Sequence, residues 1–145
     1  MEKLPVREIS GEVFAYESEY PEKVQQAFET FFPKKAISRL NSDGAFGTKI
    51  VIFRAKLAKK PARELAEKIL ASMTSGEKEA LLKKLDLHLD EEGSLYLRFD
   101  KQFAFEKNKI KFTPEEEGNI QIVLSLEAFP ANAQNFKAVC QKLLQ

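Results

Sequence analysis

The sequence predicts an α+β domain, a two-layer sandwich in which a mixed or mostly antiparallel sheet of about five to six strands carries helices packed on one face. Segments that alternate apolar and polar residues arrive in groups joined by short turns, which favours antiparallel pairing. Between those groups stand segments with apolar residues at i, i+3, i+4 and i+7, each with one side to bury. The 145 residues hold neither an internal repeat nor a low-complexity linker, so one domain, residues 1–145, is expected.

Val6 to Tyr16 reads as the first strand, with Ile9, Gly11, Val13 and Ala15 on one parity and Ser10, Glu12, Phe14 and Tyr16 on the other. Gly11 within it signals a bulge or a close backbone approach. Ser18 is placed to cap the next helix and Pro21 suits its first turn. Val24, Ala27, Phe28, Phe31 and Phe32 form its buried stripe, and Pro33 ends it. Ala36 to Leu40 and Lys49 to Leu57 read as two strands, the second rich in β-branched Ile50, Val51 and Ile52, joined through Asn41–Thr48 with Gly44 and Gly47.

Pro61 suits the first turn of a helix whose stripe is Ala62, Leu65, Ala66, Ile69, Leu70 and Met73. Thr74-Ser75-Gly76-Glu77 has the spacing of a capping box, so another helix starts there and buries Leu81, Leu82 and Leu85. Asp90-Glu91-Glu92-Gly93 turns the chain out. Leu95, Leu97 and Phe99 share one face of the next strand, with Tyr96, Arg98 and Asp100 on the other. Phe103 and Phe105 are then expected to pair, across a turn at Glu106–Lys109, with Phe112 and Ile110 as a hairpin. Pro114 to Gly118 is an acidic loop, and Ile120, Ile122, Leu124 and Leu126 alternate as a further strand. After Pro130, Asn132 is placed to cap a final helix with the stripe Phe136, Val139, Cys140, Leu143 and Leu144.

Apolar residues at 43% and charged residues at 31% describe an ordinary globular chain. Apolar runs such as Ile50–Phe53 fall far short of the ~20 residues that cross a bilayer, and MEKLPVREIS lacks the apolar core of a secretory leader. A cytoplasmic location without membrane contact is the default expectation. Cys140 is the only cysteine and His88 the only histidine. Within one chain they make no disulfide, zinc site or Cys/His catalytic pair. Cys140 falls on a helix stripe and reads as a small buried hydrophobe. No nucleophile–base constellation, metal-ligand spacing or glycine-rich nucleotide loop is present, so neither catalysis, metal nor cofactor is expected.

The net charge of +1 conceals an uneven distribution. From Lys34 to Arg63 nine basic residues face the single Asp43, a local +8, whereas residues 1–33 sum to −4. Such a field suits a polyanion, or else is simply a solvated basic face. Arg54 and Lys56 alternate with Phe53, Ala55 and Leu57, so both heads leave one side of a strand. Lys59, Lys60 and Arg63 extend the basic stretch into a helix start, where end amides also favour phosphate. Gly44 and Gly47 form a Gly-x-x-Gly loop with Arg39 and Lys49 nearby. Such a loop either clamps a nucleic-acid backbone or merely supplies positive-φ turn positions. Phe46 between them either stacks on an unpaired base or tucks into the core. Arg98 and Asp100, two apart on a strand, suit an ion pair as well as a ligand contact. Lys101 and Gln102 interrupt the alternation, the mark of a bulge or a strand end that re-aims side chains.

Leu89-Asp90-Glu91-Glu92-Gly93-Ser94-Leu95-Tyr96-Leu97-Arg98-Phe99-Asp100-Lys101-Gln102 resembles an archaeal RNA-binding protein family also described as predicted exosome subunits. Ser18-Glu19 ahead of a helix and Gly44-Ala45-Phe46-Gly47 match that family's pattern as well. Two departures stand out: Thr48-Lys49 where the family carries Asn-Pro, and Phe99 where Leu is usual. The resemblance implies a fold similar to the ribosomal protein that contacts 5S ribosomal RNA, or to double-stranded-RNA-binding domains. It also favours RNA contact by Lys101 and Gln102, with Arg98 kept beside them as a candidate. With the basic segment, it leads to the expectation of a non-catalytic protein that binds structured RNA, such as ribosomal or transfer RNA, through its phosphates. The alternative is a protein–protein adaptor, an accessory subunit of an RNA-processing complex such as the exosome.

Overall fold

A computed structural model describes residues 3–43, 47–113 and 119–145. The elements run β1 (Val6–Ala15), α1 (Pro21–Phe28), β2 (Ile37–Asp43), β3 (Lys49–Ala58), α2 (Lys59–Ser72), α3 (Ser75–Lys83), α4 (Leu85–His88), β4 (Ser94–Asp100), α5 (Lys101–Lys107), β5 (Asn119–Leu126) and α6 (Ala133–Leu143). The fold is α+β, with an open antiparallel sheet of five strands in the order β2-β3-β1-β5-β4. In β1 the residues Ile9, Gly11, Val13 and Ala15 are buried and their neighbours partly exposed, and β4 and β5 alternate in the same way. Each of these strands thus has one core-facing side, as its hydrophobic alternation demands.

The chain divides into two compact units: Met1–Ile9 with Leu57–Leu97 and Val123–Gln145, and Ser10–Lys56 with Arg98–Ile122. In the first unit α2 buries Ala62, Leu65, Ala66 and Ile69, the predicted stripe. Thr74 and Glu77 close the predicted capping box: the Glu77 N–H donates to Thr74 Oγ1 at 3.1 Å and the Thr74 N–H to Glu77 Oε1 at 2.9 Å. Asp90 Oδ1 accepts from the N–H groups of Glu92 and Ser94, each at 2.9 Å, and shapes the turn into β4. That turn ends at Gly93 with φ +88°, a conformation open to glycine. Asn132 caps α6, accepting from the Asn135 N–H at 2.8 Å. Cys140 lies fully buried on the α6 stripe, and burial pushes its thiol up from 9.0 to about 12.

In the second unit, Gly11 lets β1 approach the ring of Phe32. A Cβ at position 11 would stand 2.4 and 2.8 Å from two atoms of that fully buried ring. Val24, Ala27, Phe28, Phe31 and Phe32 are all buried as predicted, although α1 itself ends at Phe28. Its N-cap is Tyr20, with Pro21 in the first turn, and not Ser18, because the chain first makes a turn in which the Tyr16 N–H donates to Glu19 Oε1 at 3.1 Å.

The hairpin expected over Phe103–Phe112 is replaced by α5. The side chain of Asp100 accepts from the Phe103 N–H at 2.9 Å, so the aspartate that ends β4 also starts a helix. Gln102 and Glu106 pair at i, i+4 (3.1 Å), and Asn108 ends the helix in the left-handed region at φ 53°. Phe112 then meets Phe99 in a single bridge. The run SLYLRFDKQFAFEK switches period from two to 3.6 at Asp100, and α5 packs beside α1.

Gly11→Ala forces the Phe32 ring out of its position and should cost about 1–3 kcal/mol, read from the urea midpoint. The raised thiol pKa of Cys140 means that the unfolded chain sheds a proton above pH 9 which the folded chain keeps. Stability therefore falls as pH climbs from 9 toward 12. Urea titrations across that range should show the extra slope in the parent and not in Cys140→Ala.

Candidate nucleic-acid interface

β2 and β3 form an antiparallel ribbon in the second unit, with Ile37 opposite Ala55, Arg39 opposite Phe53, Asn41 opposite Val51 and Asp43 opposite Lys49. Every β2 residue from Ser38 to Asp43 is exposed. Directly opposed residues share a face, so Arg39 and Lys49 lie on the side that carries Phe53 and Ala55. The other side carries Ser38 with Arg54 and Leu40 with Ile52, and Lys56 by its parity. Arg54 and Lys56 thus leave one face as predicted, and Arg39 and Lys49 leave the opposite one. The cations dress both faces of the ribbon and do not line a single track.

Local partners modulate them. The Arg39 guanidinium carbon stands 5.8 Å from the Phe53 ring centroid, a cation–π contact. Lys49 faces Asp43 across the strands. Arg54 Nε donates to Glu12 Oε2 at 2.7 Å, with both side chains partly exposed, so Arg54 has an internal counter-charge. Gly47, at φ +77°, has open space around it, so its glycine is required by backbone conformation and not by crowding. Gly44 and Phe46, also predicted as RNA contacts, lie outside the described residues.

Lys59, Lys60 and Arg63 belong to the first unit, at the start of α2. No side chain caps this helix end, and its first turn holds no acidic residue. Lys59 sits at φ 57° where strand passes into helix. Lys60 approaches Glu64 only to 3.9 Å, both side chains well exposed, a pair worth little. Cations at the positive end of a helix are unfavourably placed unless an anion joins them.

The remaining predicted residues lie in the second unit. Arg98 is half-buried on β4, and its backbone carbonyl accepts from the Thr113 N–H at 3.0 Å. Lys101 is only 9% exposed. Its ammonium donates to the Phe14 carbonyl at 3.1 Å and to the Glu19 carboxylate at 2.9 Å, and it lies 5.3 Å from the Tyr16 ring centroid. This corrects the expected ligand contact, since the charge is enclosed and paired inside the fold. Gln102 is exposed, its Nε2 donating to Glu106. Sequence reading missed the cleft beside it, of about 600 Å³, whose walls include Tyr16, Glu19, Phe105 and Glu106. Nothing in the sequence signals it, because its walls join Tyr16 and Glu19 to residues more than eighty positions away. Among the described residues no group of three or more His, Cys, Asp or Glu is placed to hold a metal ion, and no helix is long and apolar enough to cross a membrane.

An α+β fold with an exposed ribbon dressed in cations on both faces is the class of protein that the residues define. Residues 8–126 match a family described as RNA binding, and the chain belongs to that family, as the Leu89–Gln102 run implied. Similar to it is the RNA-binding protein PAB1135 of Pyrococcus abyssi, 29% identical over 135 residues, covering 88% of this chain and 86% of that one. An uncharacterised protein of Methanocaldococcus jannaschii is 33% identical over 104 residues, 67% of this chain and 68% of that one. Among solved structures, Mth689, a DUF54 protein from Methanothermobacter thermautotrophicus, aligns with a TM-score of 0.80 at 27% identity, covering 97% of this chain and 98% of that one.

Lys101→Met removes one side of the enclosed ion pair. It should cost about 2 kcal/mol in urea unfolding, below the figure for a fully buried pair because Glu19 is partly exposed. Adding Glu19→Gln should recover part of that loss, and a ligand-contact role for Lys101 predicts no such recovery.

Proposed function

We propose that this chain is a non-catalytic RNA-binding protein that holds structured RNA, such as ribosomal or transfer RNA, by its phosphates in a cytoplasmic setting. The observation that carries the reading is the two-faced ribbon: exposed over β2, with Arg39 and Lys49 on one side and Arg54 and Lys56 on the other. A ribbon charged on both faces suits a ligand that meets it from two sides, as the paired backbones flanking a groove do. A-form RNA offers its wide, shallow minor groove for contacts of this kind, which follow shape and not sequence. The uncapped start of α2 with Lys59 and Lys60 supplies, in its own unit, a second seat for phosphate. PAB1135 is described as RNA-binding, and membership of the same family supports extending that property here.

The second reading, an adaptor or exosome subunit whose basic surface docks an acidic protein, draws support from the internal Arg54–Glu12 pair, which lowers the charge left for RNA. Salt titration separates the two. With n phosphate contacts, log K against log salt should fall with a slope of roughly −0.7n to −0.9n.

For the parent, binding to transfer RNA should weaken steeply with salt. Lys49→Glu/Lys56→Glu and Lys59→Glu/Lys60→Glu should each weaken it across all RNA sequences and flatten the slope by about one per phosphate-bound lysine removed. Folded double variants that bind as well as the parent would overturn the assignment, and a salt-insensitive interaction would favour the adaptor.

A further inference from the structure

The cleft beside α5 differs in character from the basic ribbon. Its walls carry three carboxylates, Glu19, Asp100 and Glu106, against two ammoniums, Lys23 and Lys101. Glu19 and Lys101 satisfy one another, and Asp100 caps α5. Against three carboxylates, Lys23 alone is a poor seat for a phosphate deep in the cleft. A cationic guest fares no better, because the Lys23 and Lys101 ammoniums in the same walls repel it. Lys23 Nζ lies 5.0 Å from the Tyr20 centroid and 5.6 Å from that of Phe105, and Lys101 Nζ 5.3 Å from that of Tyr16, each on one side of a ring that stays partly exposed.

What remains favours a flat, neutral guest with donors on its edge. Tyr16 and Phe105 keep 42% and 37% of their surface exposed, enough for a planar guest to lie against either ring. The volume of about 600 Å³ lies in the range of small-molecule sites. Glu106 offers carboxylate oxygens at the cleft, and Gln102, now donating to one of them, adds an amide able to donate and accept. A nucleobase meets these terms. Guanine fits best, because its edge presents two adjacent N–H donors to the two oxygens of a carboxylate. Adenine, cytosine and uracil each place an acceptor beside their donor.

We propose that this cleft seats one unpaired base of a bound RNA, guanine in preference to the others, stacked against Tyr16 or Phe105 and read by Glu106 and Gln102. Lys23, beside the Phe105 ring, meets the phosphate of the same nucleotide. The proposal deepens the RNA-binding reading and rests on it.

The test uses the full chain and a hairpin RNA ending in a single unpaired G, A, C or U. Fluorescence anisotropy should rank G first, and Phe105→Ala should weaken the G-ended RNA about tenfold, within the range for one stacked base. Glu106→Gln, on an exposed position that leaves folding intact, should erase the preference for G while binding persists. If all four RNAs bind alike and Phe105→Ala matches the parent, the cleft proposal fails while the ribbon reading stands. If no RNA binds even at low salt, the ribbon reading fails, and titration with GMP decides the cleft alone. Shifts of the Tyr16 and Phe105 ring resonances in NMR would sustain it, and their absence would sink it.

Discussion

Burying the ammonium of Lys101 would cost several kcal/mol if nothing replaced its water, and much of the second unit is arranged to replace it. The Phe14 carbonyl at the end of β1 and the Glu19 carboxylate each take a hydrogen bond from it, and the Tyr16 ring lies against it. Glu19 in turn accepts from the Tyr16 N–H, which shapes the turn ahead of α1. One cation thereby ties together the first residue of α5, the end of β1 and the turn that launches α1. A neighbouring tie works alongside it: the Thr30 hydroxyl reaches Asn108 Oδ1 at 3.2 Å, linking the segment after α1 to the end of α5. The Lys101–Glu19 pair also forms part of the cleft wall, together with Gln102 and Phe105.

Where one interaction dominated a stretch, the sequence could be read directly. Ile9 to Ala15, Leu95 to Phe99 and Ile120 to Leu126 each bury the predicted parity, because strict alternation leaves a strand no other way to hide its apolar side. Thr74-Glu77 and Asn132 act as predicted because capping is a local exchange between side chain and backbone. The Phe103–Phe112 stretch misled for an equally local reason. Its aromatics alternate, but Asp100 offers a cap and the following residues include Lys101, Gln102, Ala104 and Glu106, all at ease in a helix, so helix formation won. The lone Lys101 looked like a surface contact because sequence carries no sign that Glu19 and Phe14, more than eighty residues away, would enclose it.

The basic segment shows a similar limit. Sequence counts charges, but strand register decides which face each one leaves by. Arg39 opposite Phe53 and Ser38 opposite Arg54 are facts of pairing, and they turn an expected one-sided track into a ribbon charged on both sides. Glu12 on β1, adjacent to β3 in the sheet, then compensates Arg54. The resulting field is milder than the +8 of the segment suggests. Under the proposed reading, such an arrangement would rely on geometry and on several modest phosphate contacts, each screened by salt, and not on one concentrated patch.

Photo-crosslinking of the full chain to transfer RNA, followed by identification of the modified peptides, tests the central claim most directly. Crosslinks on the β2–β3 ribbon and the start of α2, together with base-linked adducts at Tyr16 or Phe105, are the predicted result. Crosslinks concentrated on α6 or the α3–α4 segment, with the ribbon unmarked, would contradict the account.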